Sequence, residues 1–192
     1  MRKSVRDSER SLLIIAMTLS LALMLAGFIT GFQTNLAAQS EPHLGEPTGL
    51  AHTWLSALGR ILVTNLPALC LVFSGVITGG ISTLIAWPLT AVYIGSTMRI
   101  GQDQMGMGEV MSSIWIYAPA EFVALLLAAG AGLMPVIAGI RSALSLSEPG
   151  TPLRHYLGVF PLALKVFVLA SALLLVAALI EATVLAAKGF SP

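Results

Sequence analysis

The sequence predicts an all-α, polytopic membrane protein with about five transmembrane helices in one domain, residues 1–192. First, 56% of its residues are hydrophobic and only 10% are charged, whereas a soluble domain carries about 25% charged residues. Second, the mean hydropathy is +0.89. Third, apolar runs long enough for a bilayer core of about 30 Å recur along the chain. The predicted spans cover about residues 12–32, 61–79, 81–98, 112–140 and 157–187.

The first span follows the basic segment "MRKSVRDSER". Its apolar run of 21 residues is longer than the roughly 7–15 residues of a signal-peptide core, which favours a retained helix. A cleaved signal peptide is the alternative, because the small residues of "NLAAQS" follow. The next segment, residues 33–59, contains no Lys or Arg, and its prolines and glycines predict an ordered loop or a short surface helix.

The second and third spans form one apolar run over residues 61–98. As a single helix this run would reach about 57 Å, too long for one crossing. Gly79 and Gly80 favour a tight turn that divides the run, because glycine adopts positive φ without a steric cost. A re-entrant hairpin is the alternative, since no polar loop separates the two halves.

The fourth and fifth spans are separated by the polar segment "RSALSLSEPGTPLRHY". Pro119 in the fourth span is expected to leave backbone carbonyls of the preceding turn unpaired. Lys165 lies about two turns inside the fifth span, and we expect its side chain to extend to the headgroups. The single cysteine, Cys70, is expected to be a small buried hydrophobe.

The distribution of basic residues predicts that the N-terminus is cytoplasmic. Six flank one side of the membrane and three flank the other: Arg2, Lys3, Arg6, Arg10, Arg141 and Arg154 against Arg60, Arg99 and Lys188. A re-entrant hairpin would change this count. The net charge of +1 offers no footprint for nucleic acid.

Polar residues within the spans are predicted to share one half of the membrane. Because successive spans alternate in direction, the following residues fall at similar depths in the outer half: Glu121, Glu181, Asn65, Tyr117, Thr90 and Tyr93. An intramembrane charge is costly and usually faces a bundle interior or a wet cavity. We therefore predict a polar pocket that opens to the outside. Simpler roles remain open, because Glu181 is near a span end, the tyrosines suit an interface, and Asn65 could link helices.

Small residues predict close helix packing. The predicted packing positions are Gly75, Gly79, Gly95, Gly130 and Gly132. Faces of this kind also make a homodimer an expectation.

In order and spacing, these residues resemble the stage II sporulation protein M family over roughly residues 60–187. In the second and third spans, the matching features are an opening Asn (Asn65), then Gly75, Gly79 and Thr83, and a final Gly (Gly95). In the fourth span, Glu121 is followed by the small residues Ala124, Ala128, Gly130 and Gly132. The fifth span has Glu181 near its end. Two positions depart from the family pattern. Ile116, Tyr117 and Ala118 stand where the family has Pro-His-Gly, and Thr90-Ala91 stands where it has Asn-Gly.

The resemblance implies a non-enzymatic component of the bacterial cytoplasmic membrane that works with other membrane proteins. The namesake acts in membrane migration and peptidoglycan remodelling during engulfment in spore formers. Short relatives are linked to export of, or immunity to, circular bacteriocins. Loss of the family His removes a group beside Glu121 that could bind metal or move protons near neutral pH.

Catalysis is not expected from the residues themselves. The predicted spans contain neither Asp nor His, and the sequence has no H-E-x-x-H or Walker motif. His43 and His52 share a loop with Glu41 and Glu46, but the spacing matches no metal signature. We therefore expect no metal or cofactor, and any ATP would be used by a partner ATPase in trans.

Two functions remain open at this stage. An accessory or assembly role predicts that helix contacts seal Glu121 and that small-residue faces turn outward to a partner. A subunit for peptide export or immunity predicts that Glu121 and Glu181 face a wet cavity. Five spans without an internal repeat are few for a carrier that acts alone.

Overall fold

The computed structural model describes residues 2–34, 54–144 and 151–189, and all regular structure in these ranges is helical. The helices are α1 (Arg2–Gln33), α2 (Trp54–Phe73), α3 (Ile81–Met105), α4 (Met107–Ile114), α5 (Ala118–Leu144), α6 (Pro152–Gly158) and α7 (Phe160–Gly189), with a short 3-10 turn at Ser74–Val76. The loop predicted between the first two spans lies largely outside the described residues. We call the end of the bundle where α1 begins the proximal end, and the end where α1 and α7 finish the distal end.

Within the described ranges, five helical segments are long and apolar enough to cross a membrane: Glu9–Gln33, Trp54–Val76, Ile81–Met105, Ala118–Leu144 and Pro152–Ala187. This agrees with the predicted polytopic all-α class. The second span begins earlier than expected from composition, and the third continues to Met105 because its helix extends through "RIGQDQM".

The fourth span begins at Ala118 rather than near residue 112. Residues 107–114 form the separate helix α4, and residues 115–117 form a turn before α5. Pro119 therefore lies in the first turn of α5, where a helix needs no amide hydrogen at that position. The break in the helix therefore lies at residues 115–117, before Pro119.

Helix α5 occupies the centre of the bundle and packs against α1, α2, α6 and α7. In its most apolar window 61% of residues are buried, compared with 17–28% in the other four spans. The small residues from Ala128 to Gly132 are all buried. Small side chains allow several helices to approach one axis closely.

The contact between α1 and α3 depends on glycines in both helices. A Cβ at Gly31 would overlap the carbonyl of Val92, and a Cβ at Gly95 would overlap the carbonyl of Phe28. Ser96 Oγ donates to Gly31 O at 3.0 Å. The sequence "GFITG" places Gly27 and Gly31 four residues apart, and this packing motif is missing from the sequence prediction.

The α2–α3 hairpin turns at Gly79 and Gly80, which have φ of +64° and +86°. Gly79 was also predicted to pack between helices, but a Cβ there would meet nothing within 4 Å. Its role is therefore conformational. Gly75, in contrast, lies directly against Thr83 and the carbonyl of Gly132.

Hydrogen bonds from side chains join the two arms of the hairpin and hold it to α6. Thr83 Oγ1 donates to Val72 O at 2.6 Å, and Tyr156 OH donates to Val76 O at 2.7 Å. In a bilayer core such backbone carbonyls have no water to bind, so internal donors stabilise the turn. Both arms of the hairpin are long enough to cross the membrane.

Candidate functional site

A groove with a volume of about 720 Å³ opens at the distal end of the bundle, between α2, α3 and α7 and beside the start of α5. Eight of its twelve lining residues are polar or charged, although apolar atoms make up the larger part of the lining surface. The lining residues are Ser56, Ala57, Arg60, Ile61, Thr64, Asn65, Tyr93, Thr97, Glu121, Glu181, Leu185 and Ala186.

Three helices meet at the deepest polar group of the groove. Asn65 Nδ2, from α2, donates to Glu121 Oε1, from α5, at 3.0 Å. Glu181, from α7, lines the same groove, and its carboxyl group lies near that of Glu121. Two carboxyl groups and one amide from three membrane-crossing segments therefore lie together.

The position of Glu121 in α5 explains how a carboxylate is tolerated there. Glu121 lies in the first turn of the helix, because the turn at residues 115–117 precedes it. The N-terminus of a helix carries a partial positive charge that favours a carboxylate. A glutamate in the middle of a continuous span would lack this interaction.

The depth of Glu121 follows from a bond that joins α1 and α5. Ser20 Oγ donates to Leu126 O at 3.1 Å, so these two residues lie at the same level. At about 1.5 Å per residue, Ser20 lies roughly 18 Å from the end of the α1 apolar run at Phe32. Helix α5 runs in the opposite direction, and Glu121 precedes Leu126 by five residues. Glu121 is therefore about 10 Å below the distal boundary of the apolar region.

The rim of the groove is accessible. Arg60, Thr64 and Thr97 are exposed, and Tyr93 retains 71% of its exposure. On the side of α2 and α7, Trp54 Nε1 donates to Thr183 Oγ1 at 3.1 Å and joins the two helices above the carboxyl groups. The groove thus leads from an exposed polar rim to a partly buried acidic floor.

Four of the six polar residues singled out from the sequence line this groove: Asn65, Tyr93, Glu121 and Glu181. Tyr117 lies in the turn before α5, near both carboxyl groups, but outside the lining. Thr90 does not join the group, because its hydroxyl donates to Ala86 O of its own helix at 2.8 Å.

The packing glycines also have different surroundings from those expected of a partner surface. Gly95 packs on α1, Gly130 on Met17, and Gly132 on Thr83 and the backbone of Val72. These contacts lie within one chain, so the glycines are occupied in forming the bundle. Cys70, expected to be buried, is exposed on α2.

Several groove residues were missing from the sequence prediction, although their spacing could have indicated them. Arg60, Thr64 and Asn65 recur at helical intervals on α2, and Tyr93 and Thr97 are four residues apart on α3. Such intervals place side chains on one helix face. Short polar side chains in an apolar run are a weaker signal of a polar site than carboxylates, so Thr64 and Thr97 are absent from the predicted site.

The arrangement offers hydrogen-bond acceptors at the floor and mixed donors and acceptors at the rim. Among the residues that the structure describes, no group of three or more His, Cys, Asp or Glu side chains could hold a metal ion. The floor is chemically suited to a cation or to a group with several N–H donors.

Comparison with known protein families identifies the family of this chain. The family model for stage II sporulation protein M matches residues 16–184. The chain belongs to this family. The match includes most of α1 as well as the region of the sequence resemblance, and it contains the groove floor formed by Asn65, Glu121 and Glu181. No curated protein and no solved structure matches the chain.

The link between Asn65 and Glu121 can be measured with a double-mutant cycle. We expect Asn65→Ala and Glu121→Ala to show a coupling energy of about 0.6–1.7 kcal/mol, the range found for interhelical hydrogen bonds in membranes. Unfolding by denaturant in mixed micelles would provide the four stabilities. The control cycle pairs Thr90→Val with Glu121→Ala and should give a coupling near zero, because Thr90 bonds within its own helix. Equal coupling in the two cycles would contradict the assignment.

Proposed function

We propose that the protein is a non-enzymatic accessory or assembly component of a bacterial cytoplasmic membrane, with its N-terminus in the cytoplasm. The observation that carries this proposal is the bond from Asn65 to Glu121, which links two membrane-crossing segments and gives the carboxylate a structural partner. The expected outward small-residue faces and sealed Glu121 are not found, since the glycines pack inside the bundle and Glu121 lines the groove. The family relationship supports a membrane role together with other proteins. The groove supplies a surface at which such a protein could be engaged.

The charges at the two ends of the described bundle support this orientation. At the proximal end seven cations, Arg2, Lys3, Arg6, Arg10, Arg141, Arg154 and Lys165, accompany two anions, Asp7 and Glu9, for a net charge of 7 − 2 = +5. At the distal end three cations, Arg60, Arg99 and Lys188, accompany Asp103, Glu109, Glu121 and Glu181, for a net charge of 3 − 4 = −1. Basic flanks are typical of the cytoplasmic side, so the groove would open to the exterior.

The non-enzymatic character is supported by the way polar side chains are used. Asn65 binds Glu121, Thr83 binds the carbonyl of Val72, and Ser20 binds the carbonyl of Leu126. Each of these bonds joins different helices or the two arms of the hairpin. Polar groups with such partners organise a bundle, and this use is sufficient to account for their presence.

We infer that a partner protein engages the groove rather than a small-residue face. The glycine-rich surfaces expected to meet a partner or a second copy of the chain pack inside the bundle. The groove instead presents an exposed rim and the carboxyl groups of Glu121 and Glu181 at its floor. Other membrane proteins are the proposed partners, and a separate ATPase would supply energy where the process needs it.

A second candidate is a membrane subunit for export of, or immunity to, a peptide. One observation favours it, because Glu121 and Glu181 line a groove instead of being sealed by helix contacts. A cationic peptide that enters from the exterior would meet complementary charge at the floor.

The two candidates are separated by one pair of assays on wild type and on the double variant Glu121→Gln, Glu181→Gln. Glutamine keeps nearly the same shape and removes the negative charge. The first assay places a photoreactive residue at Leu185, in the groove wall, and identifies cross-linked membrane proteins in native membranes. The second measures binding of a cationic amphipathic peptide to the purified protein against a charge-neutral peptide of equal length. Thermal unfolding establishes that each variant remains folded.

An accessory role predicts one recurrent cross-linked membrane protein that disappears in the double variant, without saturable peptide binding. An export or immunity role predicts saturable binding of the cationic peptide that the double variant loses. The matched control is Thr90→Val, which removes a polar group outside the groove and should change neither assay. If neither assay depends on the two carboxyl groups, both functions of the groove are excluded.

A further inference from the structure

A second charged feature lies at the proximal end, on the face of α6 and α7 that points away from the bundle. Lys165 belongs to the fifth membrane-crossing segment, yet its side chain is exposed. Among the described residues, no hydrogen bond or ion pair engages it. A cation placed in this way needs a partner from the surrounding lipid.

Arg154 of α6 and Lys165 of α7 are both exposed at this end of the bundle. Helices α6 and α7 are joined by one residue, Val159, which is itself in the helical conformation. Within α7, positions 161, 165 and 168 follow intervals of four and three residues, which keep to one side of a helix. Arg154, Gly158, Pro161 and Lys165 are all exposed, and a Cβ at Gly158 would meet nothing within 4 Å. The surface at the junction of α6 and α7 is therefore open at Gly158 and Pro161, and the exposed leucines Leu157 and Leu164 lie beside it.

The depth of Lys165 is set by packing against the central helix. Ala163 packs in one cluster with Ala131, and Gly130 contacts Met17 of α1. Lys165 thus lies about 9 Å inside the apolar run that begins at Leu12. Side chains of a helix point toward its N-terminus, which for α7 is the proximal end. The ammonium group therefore extends to the headgroup region on that side.

The same face continues as an apolar stripe deeper in the membrane. Val168, Ala172 and Leu175 follow Lys165 at helical intervals, and all three are exposed. A cation at headgroup level followed by an open apolar stripe matches the two parts of a phospholipid. The positive charge at the top of the stripe complements an anionic headgroup, and the apolar side chains below it can contact an acyl chain.

We propose that this face, defined by Arg154, Gly158, Pro161, Lys165 and Val168, binds an anionic phospholipid of the proximal leaflet. Lys165 binds the phosphate, the acyl chain lies along the stripe from Val168, and Arg154 adds positive potential at the aqueous edge of the headgroup. The site lies at the opposite end of the bundle from the groove and does not depend on the function proposed for the groove.

The test is native mass spectrometry of the purified full chain in detergent, with an equimolar mixture of phosphatidylglycerol and phosphatidylcholine of identical acyl chains. We expect wild type to retain phosphatidylglycerol in preference to phosphatidylcholine. Lys165→Gln should lower this preference about fivefold, the effect of one cation near an anionic surface. Arg154→Gln should lower it less, and Lys165→Arg should retain it. Because both side chains are exposed, the variants should unfold at the wild-type temperature.

The matched control is Arg99→Gln at the distal end, where the guanidinium group pairs with Asp103 at 3.0 Å. This variant also loses one positive charge and should keep the wild-type lipid preference. Equal retention of the two lipids by wild type would overturn the proposal. An unchanged preference in Lys165→Gln, or an equal loss in Arg99→Gln, would also overturn it, because the preference would then not arise at this face.

Discussion

Replacing Gly31 with alanine is expected to destabilise the bundle by about 3 kcal/mol, the upper part of the usual range for overpacking. A Cβ at this position would overlap the carbonyl oxygen of Val92 and approach the backbone carbons of the same residue. A backbone cannot rotate away as a flexible side chain can, so α1 and α3 would have to separate. The separation would also weaken the bond from Ser96 Oγ to Gly31 O. Gly31→Leu should prevent stable folding.

Unfolding by denaturant in mixed micelles would measure this effect, with Gly59→Ala as the control. Gly59 lies within α2, and a Cβ there would meet nothing within 4 Å. Alanine is the better helix former by about 0.5–1 kcal/mol, so Gly59→Ala should be neutral or slightly stabilising. Similar stabilities for the two variants would mean that α1 and α3 are not in the close contact described.

Truncation of Trp87 to alanine is expected to have the second large effect. Trp87 is fully buried, and its Nε1 donates to Ser20 O at 2.8 Å. Large-to-small changes of this kind cost about 3–5 kcal/mol in water-soluble cores. In a bilayer the unfolded reference keeps the indole in lipid, so the transfer component is smaller and the lost packing dominates. We expect about 3 kcal/mol for Trp87→Ala, near the lower end of that range.

Two further variants separate the lost hydrogen bond from the lost packing, and the effect of burial from that of the side chain itself. Trp87→Phe keeps much of the ring volume and removes the N–H donor, so it should cost about 1 kcal/mol. Trp115→Ala removes the same side chain from a position that is 66% exposed, and such a surface change should stay within about 0.5 kcal/mol. Both variants would be measured in the same micelles. Equal losses of stability for Trp87→Ala and Trp115→Ala would contradict the burial of the Trp87 side chain of α3 against α1.

These predictions concern the frame that holds the groove in place. Trp87 and Ser20 link α3 to α1, and Ser20 links α1 to α5 at Leu126. Glu121 lies less than two turns from Leu126 on the same helix. The groove floor is therefore positioned by the packing of the central helix as well as by the bond from Asn65.

Local sequence was sufficient for those features that depend on hydrophobicity and chain direction. Apolar length identifies the helices that can cross a membrane, because an unpaired backbone is too costly in lipid. The alternation of direction then places Asn65, Glu121 and Glu181 at similar depth, and the structure brings these three side chains together. The positive φ of Gly79 and Gly80 also follows from local preference, since only glycine adopts it without strain.

Only the tertiary structure decided which helix faces meet and where the fourth span begins. Lipid tails are as apolar as leucine, so hydrophobicity alone cannot select the buried face of a membrane helix, and close packing of small residues selects it instead. This is why composition does not reveal the packing partners of Gly31 and Gly132 or the central place of α5. It also does not reveal that Thr90 makes its hydrogen bond within its own helix. The start of α5 at Ala118 has the same origin, because the separate packing of α4 against α3 leaves Glu121 at a helix N-terminus. The sequence by itself determined the number of spans and the similar depth of the carboxylates, and packing determined the bounds of the fourth span and the groove that the carboxylates share.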